Sequence, residues 1–188
     1  MRSLLTGFIG LTLALVLSGC ATSGAHTQTD KRQAIQSMKQ DVLADLYRLQ
    51  PGARQQVTSA PGYAVFSNAN VNLIFASFSG GNGVVKDNRT GKETYMKMGE
   101  AGIGLGLGVK DFRAVFVFHD RARLDQFIDS GWEFGAHADA AAKANEKGAA
   151  IGGEVLLDGV TVYQMTESGL ALQATIKGTK YWKDTELN

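Results

Sequence analysis

The chain has 188 residues, a length typical of one domain and small for two. Hydrophobic residues make up 44% and charged residues 20%, and 23 glycines beside 2 prolines favour packed strands and turns over disorder. A formal net charge of +1 provides no long-range field for capturing nucleic acid, so no nucleic-acid partner is expected.

Residues 1–19 have the pattern of a secretory signal peptide. Arg2 precedes an apolar run of about 14 residues, which is shorter than the roughly 20 residues of a membrane-spanning helix. The run ends in Leu17-Ser18-Gly19-Cys20, which resembles the bacterial lipobox, and Cys20 is the single cysteine of the chain. We therefore expect cleavage before Cys20 and acylation of its thiol, which would anchor the protein in a membrane.

The residues after Cys20 bear on where the anchor is placed. Ala21 stands where an Asp would resemble the signal for inner-membrane retention, so we expect the bacterial cell envelope, with the lipid anchor in the outer membrane facing the periplasm. Residues 20–29 are otherwise small and polar and predict a flexible tether. The predicted domain then runs from residue 30 to residue 188.

A helical pattern covers residues 30–50. Apolar residues recur three and four positions apart, Asp30 is a suitable N-cap, and Pro51-Gly52 ends the pattern. The opposite face is charged. This helix either packs on a core in the ordinary way or faces a membrane with a basic leading edge made of Lys31, Arg32 and Lys39.

The remainder is rich in predicted strands. The expected elements are a short strand at 63–66, an alternating strand at 70–79, a hairpin at 83–98, strands at 112–118 and 170–177, a short helix at 120–129, and a hairpin at 155–163 that turns at Asp158-Gly159. Together they predict an α+β fold: a Gly-rich, largely antiparallel β-sheet with an N-terminal amphipathic helix and one short internal helix.

Glycine occupies every second position from Gly102 to Gly108. In a strand, this spacing leaves one face as bare backbone that another element can approach closely. A phosphate-binding fingerprint is the alternative, but Leu107 stands where its third glycine is needed.

The sequence offers little for catalysis. It contains no G-x-S-x-G motif and no paired histidines at metal-ligand spacing. Glu133, His137 and Asp139 could share a strand face and hold zinc, although an ordinary surface is the favoured interpretation. We therefore expect a protein that is not an enzyme and has no cofactor or metal.

Several short motifs follow one another in a recognisable order. They are Ala64-Val65-Phe66, Gly80-Gly81-x-Gly83-Val84-Val85, the alternating glycines with Asp111, Phe112-x-x-Val115-x-Val117-x-x-x-Asp120, Phe127, Phe134-Gly135-Ala136, and Thr166-Glu167-Ser168-Gly169-Leu170-x-Leu172-x-Ala174-x-Ile176-x-Gly178. This series resembles the SYLF-domain family, also called the Ysc-type actin-binding or lipid-binding domain. The resemblance implies a lipid-recognition module. Eukaryotic members bind phosphoinositides and some bind actin, but in a periplasm binding of anionic lipid in general is the expectation.

Two basic clusters are candidates for binding anionic headgroups. One consists of Lys31, Arg32 and Lys39. The other consists of Lys177, Lys180 and Lys183, interleaved with Tyr181 and Trp182 in the manner of membrane interfaces. A helical turn would gather the second cluster, whereas a strand would turn Lys180 away. The expected partners are membrane lipids; the alternative is a structural envelope lipoprotein that binds a protein partner.

Overall fold

The structure, a computed structural model, describes residues 27–68, 80–100, 112–133, 154–157, 159–166, 169–170 and 179–188. The helices in these ranges are α1 (Gln28–Leu49), α2 (Ala53–Ser59) and α3 (Arg121–Ser130). The strands are β1 (Gly62–Ser67), β2 (Gly81–Asp87), β3 (Glu93–Glu100), β4 (Arg113–Phe118), β5 (Trp132–Glu133), β6 (Glu154–Leu157), β7 (Val160–Thr166), β8 (Gly169–Leu170) and β9 (Thr179–Lys183).

The nine described strands form one sheet in the order β5-β9-β3-β2-β1-β4-β7-β6, and β8 adds to β7. Each of the described pairings is antiparallel. Both predicted hairpins are present, as β2–β3 and β6–β7, and Gly159 has the positive φ of 79° that the second turn requires. The predicted α+β fold with a largely antiparallel sheet is thus confirmed.

A hydrophobic core lies on each face of the sheet. On one face, α1 and α2 pack over Val65 and neighbouring strand residues. On the other face, α3 packs over an aromatic cluster that includes Phe66 and Phe116, whose rings meet edge to face at 5.8 Å. Because neighbouring strand residues point to opposite faces, Val65 and Phe66 serve different cores.

The start of α1 differs from the prediction. The helix begins at Gln28, and its N-cap is Thr27 rather than Asp30. The Thr27 hydroxyl accepts a hydrogen bond from the Asp30 amide, and the Asp30 carboxylate accepts one from the Thr27 amide. Since Asp30 is the third helical residue of this capping box, its carboxylate supports a helix that begins before it.

Two further differences concern α2 and α3. The short helix α2 after Pro51-Gly52 was not predicted, because seven residues carry too little apolar periodicity to show it. In contrast, α3 has the predicted Asp120 cap and ends at Gly131, whose φ is 70°. Cys20, the strand predicted at 70–79, the alternating glycines 102–108 and the strand predicted at 170–177, apart from Leu170 in β8, lie outside the described residues.

Candidate functional site

Lys31 and Arg32, from the first predicted cluster, lie where α1 meets the C-terminal turn. Arg32 Nε donates to the carbonyl oxygen of Leu187 at 3.0 Å. Its guanidinium carbon lies 5.7 Å from the centre of the Tyr95 ring on β3. Lys31 Nζ is 3.7 Å from a carboxylate oxygen of Glu186, which is itself well exposed. Both cations therefore remain at the surface, at one end of the α1–β3 contact.

Lys39 has a different environment, because its side chain is buried between α1 and β3. Its Nζ donates to Glu93 Oε1 at 2.6 Å and to Gln36 Oε1 at 2.5 Å. Burial alone would raise the pKa of Glu93, but the hydrogen bond and charge of Lys39 outweigh it and hold that pKa below its usual value. The structure thus separates Lys39 from the surface formed by Lys31 and Arg32.

The second predicted cluster lies on β9, a strand, so its side chains alternate between the two faces. Tyr181 is fully buried in the aromatic core below α3. Lys183 shares that face, and its Nζ lies 3.7 Å from Asp129 of α3. Lys180 is exposed and, by alternation, belongs to the face that carries α1. Lys177 lies outside the described residues.

The α1 face of β3 and β9 carries further basic and aromatic side chains. Lys97 pairs in register with Trp182, and its Nζ lies 3.4 Å from the buried carboxylate of Asp184. The Trp182 ring lies beside Gly99, where a Cβ would approach within 2.9 Å of it. We define the basic-aromatic strip as Lys31, Arg32, Tyr95, Lys97, Lys180 and Trp182. Sequence reasoning missed Tyr95 and Lys97, because only the pairing of β3 with β9 shows them beside Trp182.

A shallow groove of about 530 Å³ adjoins the strip, between the N-terminal half of α1 and Tyr95. The described residues of its lining are one cation, Arg32, together with Tyr95 and five uncharged polar side chains of α1. None of the described residues that line it is acidic. A groove of this composition suits a polar ligand that carries negative charge.

The same described ranges contain no group of three or more His, Cys, Asp or Glu arranged to hold a metal ion. They also contain no helix long and apolar enough to cross a bilayer. His137 and Asp139, two members of the possible zinc set, lie outside these ranges, so the interpretation of that set remains a prediction.

The chain is similar to a protein of Aeromonas veronii. The chain is 38% identical over 161 residues to beta cell expansion factor A of Aeromonas veronii, an alignment that covers 86% of this chain and 60% of that protein. The chain thus spans less than two thirds of the length of this relative. No family model matches the chain.

Proposed function

We propose that this protein is a bacterial envelope lipoprotein whose domain binds anionic lipid headgroups through the basic-aromatic strip. The observation that carries the proposal is that members of both predicted clusters lie on one side of the sheet. Arg32 and Lys31 from α1 lie on the same side of the sheet as Lys180 and Trp182 from β9. In this proposal the domain is a binding module of the SYLF type, without catalysis or a cofactor.

The chemistry of the strip supports contact with a membrane surface. Cationic side chains gain about 1 kcal/mol each near an anionic leaflet, and Trp and Tyr prefer the headgroup region. Lys183 has no part in this surface, because it projects to the α3 face. Lys39 has none either, because its ammonium is held by Glu93.

The proposed anchor lies close to this surface in the sequence. Cys20 precedes the first residue of α1 by a short polar segment, and Lys31 and Arg32 belong to the first turns of that helix. An acyl chain on Cys20 would hold the N-terminal end of α1 near the bilayer. The proposed location is the outer membrane, facing the periplasm.

Mass spectrometry tests the anchor. We expect the mature protein to begin at Cys20 and to carry acyl mass, and Cys20→Ser to abolish that mass. A mature form that begins at Cys20 without added acyl mass would exclude lipidation.

Vesicle co-sedimentation tests the headgroup proposal, using residues 20–188 with Cys20→Ser so that no acyl chain contributes. We expect binding to vesicles that contain phosphatidylglycerol and none to phosphatidylcholine alone. Lys31→Gln with Lys180→Gln should weaken binding roughly thirtyfold, at about 1 kcal/mol for each cation. The matched control is Arg89→Gln with Lys92→Gln, which removes the same charge from the exposed β2–β3 turn.

Equal losses in both variants would show that net charge, and not the strip, determines binding. No binding to either vesicle would instead favour the alternative of an envelope lipoprotein that binds a protein partner. One feature favours that alternative: Leu156 is 63% exposed on β6, at the end of the described sheet order.

A further inference from the structure

The groove beside α1 is bordered by a chain of hydrogen bonds with a fixed direction. Lys39 can only donate, so its ammonium donates to the Gln36 carbonyl oxygen. The Gln36 amide nitrogen then faces Glu93 Oε2 at 2.7 Å and the Tyr95 hydroxyl at 3.1 Å. A Gln amide nitrogen only donates, so the Tyr95 oxygen must accept from it.

This direction determines what Tyr95 can offer to a ligand. Because the Tyr95 oxygen accepts from Gln36, its own proton is left for another acceptor. Within the described ranges no side chain or carbonyl takes that proton. The Lys39–Glu93 pair therefore fixes the orientation of the Gln36 amide. That orientation in turn leaves the Tyr95 hydroxyl as a hydrogen-bond donor beside the groove.

Arg32 adds the charged donors. The carbonyl of Leu187 occupies only its Nε, at 3.0 Å, and the Tyr95 ring lies beside the guanidinium. No acid of the described part of the chain pairs with Arg32. The Nη groups thus remain for a ligand, and the two contacts restrict their orientation. The planar guanidinium can bind two oxygens of one phosphate at once.

We infer that the groove binds the phosphate of a phosphodiester or phosphomonoester headgroup, with Arg32 Nη and Tyr95 Oη as its donors. This inference rests on the proposed function, which it narrows to one site. A phosphate group fills only part of about 530 Å³, so the remaining space accommodates the polar group attached to it. The uncharged polar side chains of α1 can bind the hydroxyls of such a group.

Two ligands distinguish binding in the groove from binding to a membrane surface. The first is free glycerol 3-phosphate, titrated by NMR into residues 20–188 carrying Cys20→Ser, with glycerol as the uncharged control. The second is the phosphatidylglycerol vesicle described above. Arg32→Gln should weaken binding of both at least about tenfold, as expected for loss of a charged hydrogen bond, and Tyr95→Phe about threefold to tenfold. Arg32→Lys, which keeps charge but not the fork, should not restore full affinity.

The matched control is Arg54→Gln. Arg54 also stacks on a tyrosine, with its guanidinium carbon 4.3 Å from the Tyr47 ring centre, but it does not line the groove. Arg54→Gln should change neither the binding of glycerol 3-phosphate nor the binding of vesicles. Each variant must also have the same unfolding midpoint as the wild type, which shows that it folds correctly.

The outcomes distinguish the two proposals. Loss of glycerol 3-phosphate and vesicle binding together in Arg32→Gln supports both. Vesicle binding that Arg32→Gln and Tyr95→Phe leave unchanged overturns the groove and leaves the lysines and Trp182 of the strip as the lipid contacts. Binding of glycerol 3-phosphate without binding of any vesicle supports the groove and overturns the membrane role. Equal binding of glycerol and glycerol 3-phosphate overturns the phosphate assignment.

Discussion

At the scale of single residues, the clearest lesson comes from two lysines of one helix. Lys31 and Lys39 look alike in the sequence, as cations on the polar side of α1. Lys31 is at the surface beside exposed Glu186, whereas Lys39 is buried against Glu93. The difference arises from the partner on β3, more than fifty positions away. Helical periodicity alone does not contain that information.

Removing either side of the Lys39–Glu93 pair should destabilise the fold. Lys39→Met would leave Glu93 with the amide of Gln36 and, as its cation, only Lys86 at the longer distance of 3.6 Å. We expect a loss of about 1–3 kcal/mol in the free energy of unfolding, measured by urea denaturation. Lys31→Met, at the exposed pair, should cost less than about 1 kcal/mol. If the two variants were equally stable, the pair would have no structural role.

Asp87 should give the stability a pH dependence. Although its burial acts to raise the pKa, hydrogen bonds from Arg121 and from the Thr90 and Arg89 amides outweigh it and hold the pKa below its usual value. A lowered folded pKa means that ionised Asp87 stabilises the fold above the unfolded pKa, near 3.9, and that this contribution declines as the pH falls below it.

Asp87→Asn should therefore cost about 1–3 kcal/mol in unfolding free energy at pH 7, as expected for a hydrogen bond to a charged group. The gap to the wild type should narrow in urea titrations below about pH 4. The control is Asp129→Asn. The carboxylate of Asp129 is 74% exposed, so its loss should change the unfolding free energy little at either pH. A gap that stays constant on acidification would contradict the assignment.

At the scale of elements, glycines in β2 let an aromatic core approach the sheet. A Cβ at Gly83 would overlap the Phe66 ring and the Val65 carbonyl oxygen. Phe66 in turn packs on Tyr181, with ring centres 4.6 Å apart. Gly83 thus shows a close approach of the kind predicted for glycines 102–108, which themselves lie outside the described residues.

Gly83→Ala should consequently lower the free energy of unfolding by about 1–3 kcal/mol or more, because the overlap is with backbone as well as with a ring. Gly52→Ala is the matched control, since no atom lies within 4 Å of its added Cβ. Thermal unfolding of the two variants checks this. Equal midpoints would show that Phe66 can move away without cost.

The sequence predicted those elements whose signals are local. The β2–β3 and β6–β7 hairpins have their turns in a few adjacent residues, and α3 has both its cap and its closing glycine. It did not predict which cations share a surface. That depends on β9 lying between β5 and β3, a non-local pairing for which the residues of β9 carry no signal.

At the scale of the whole molecule, the two faces of the sheet differ in their suitability for a membrane. On the α3 face, Trp132 packs against the aromatic core, and its partner in register is the buried Tyr181. On the α1 face, Trp182 lies beside Lys97 in the basic-aromatic strip. The proposed function requires the α1 side to meet the lipid.

These two tryptophans, which are the chain's entire complement, allow the orientation to be measured directly. Trp132→Phe leaves Trp182 as the only indole, and Trp182→Phe leaves Trp132. Each variant would be mixed with phosphatidylglycerol vesicles whose acyl chains are brominated near the headgroup, a quencher of nearby indole fluorescence. We predict quenching of Trp182, with Trp132 unchanged. Quenching of Trp132 with Trp182 unaffected, in protein that binds the vesicles, would contradict the proposal that the basic-aromatic strip faces the membrane.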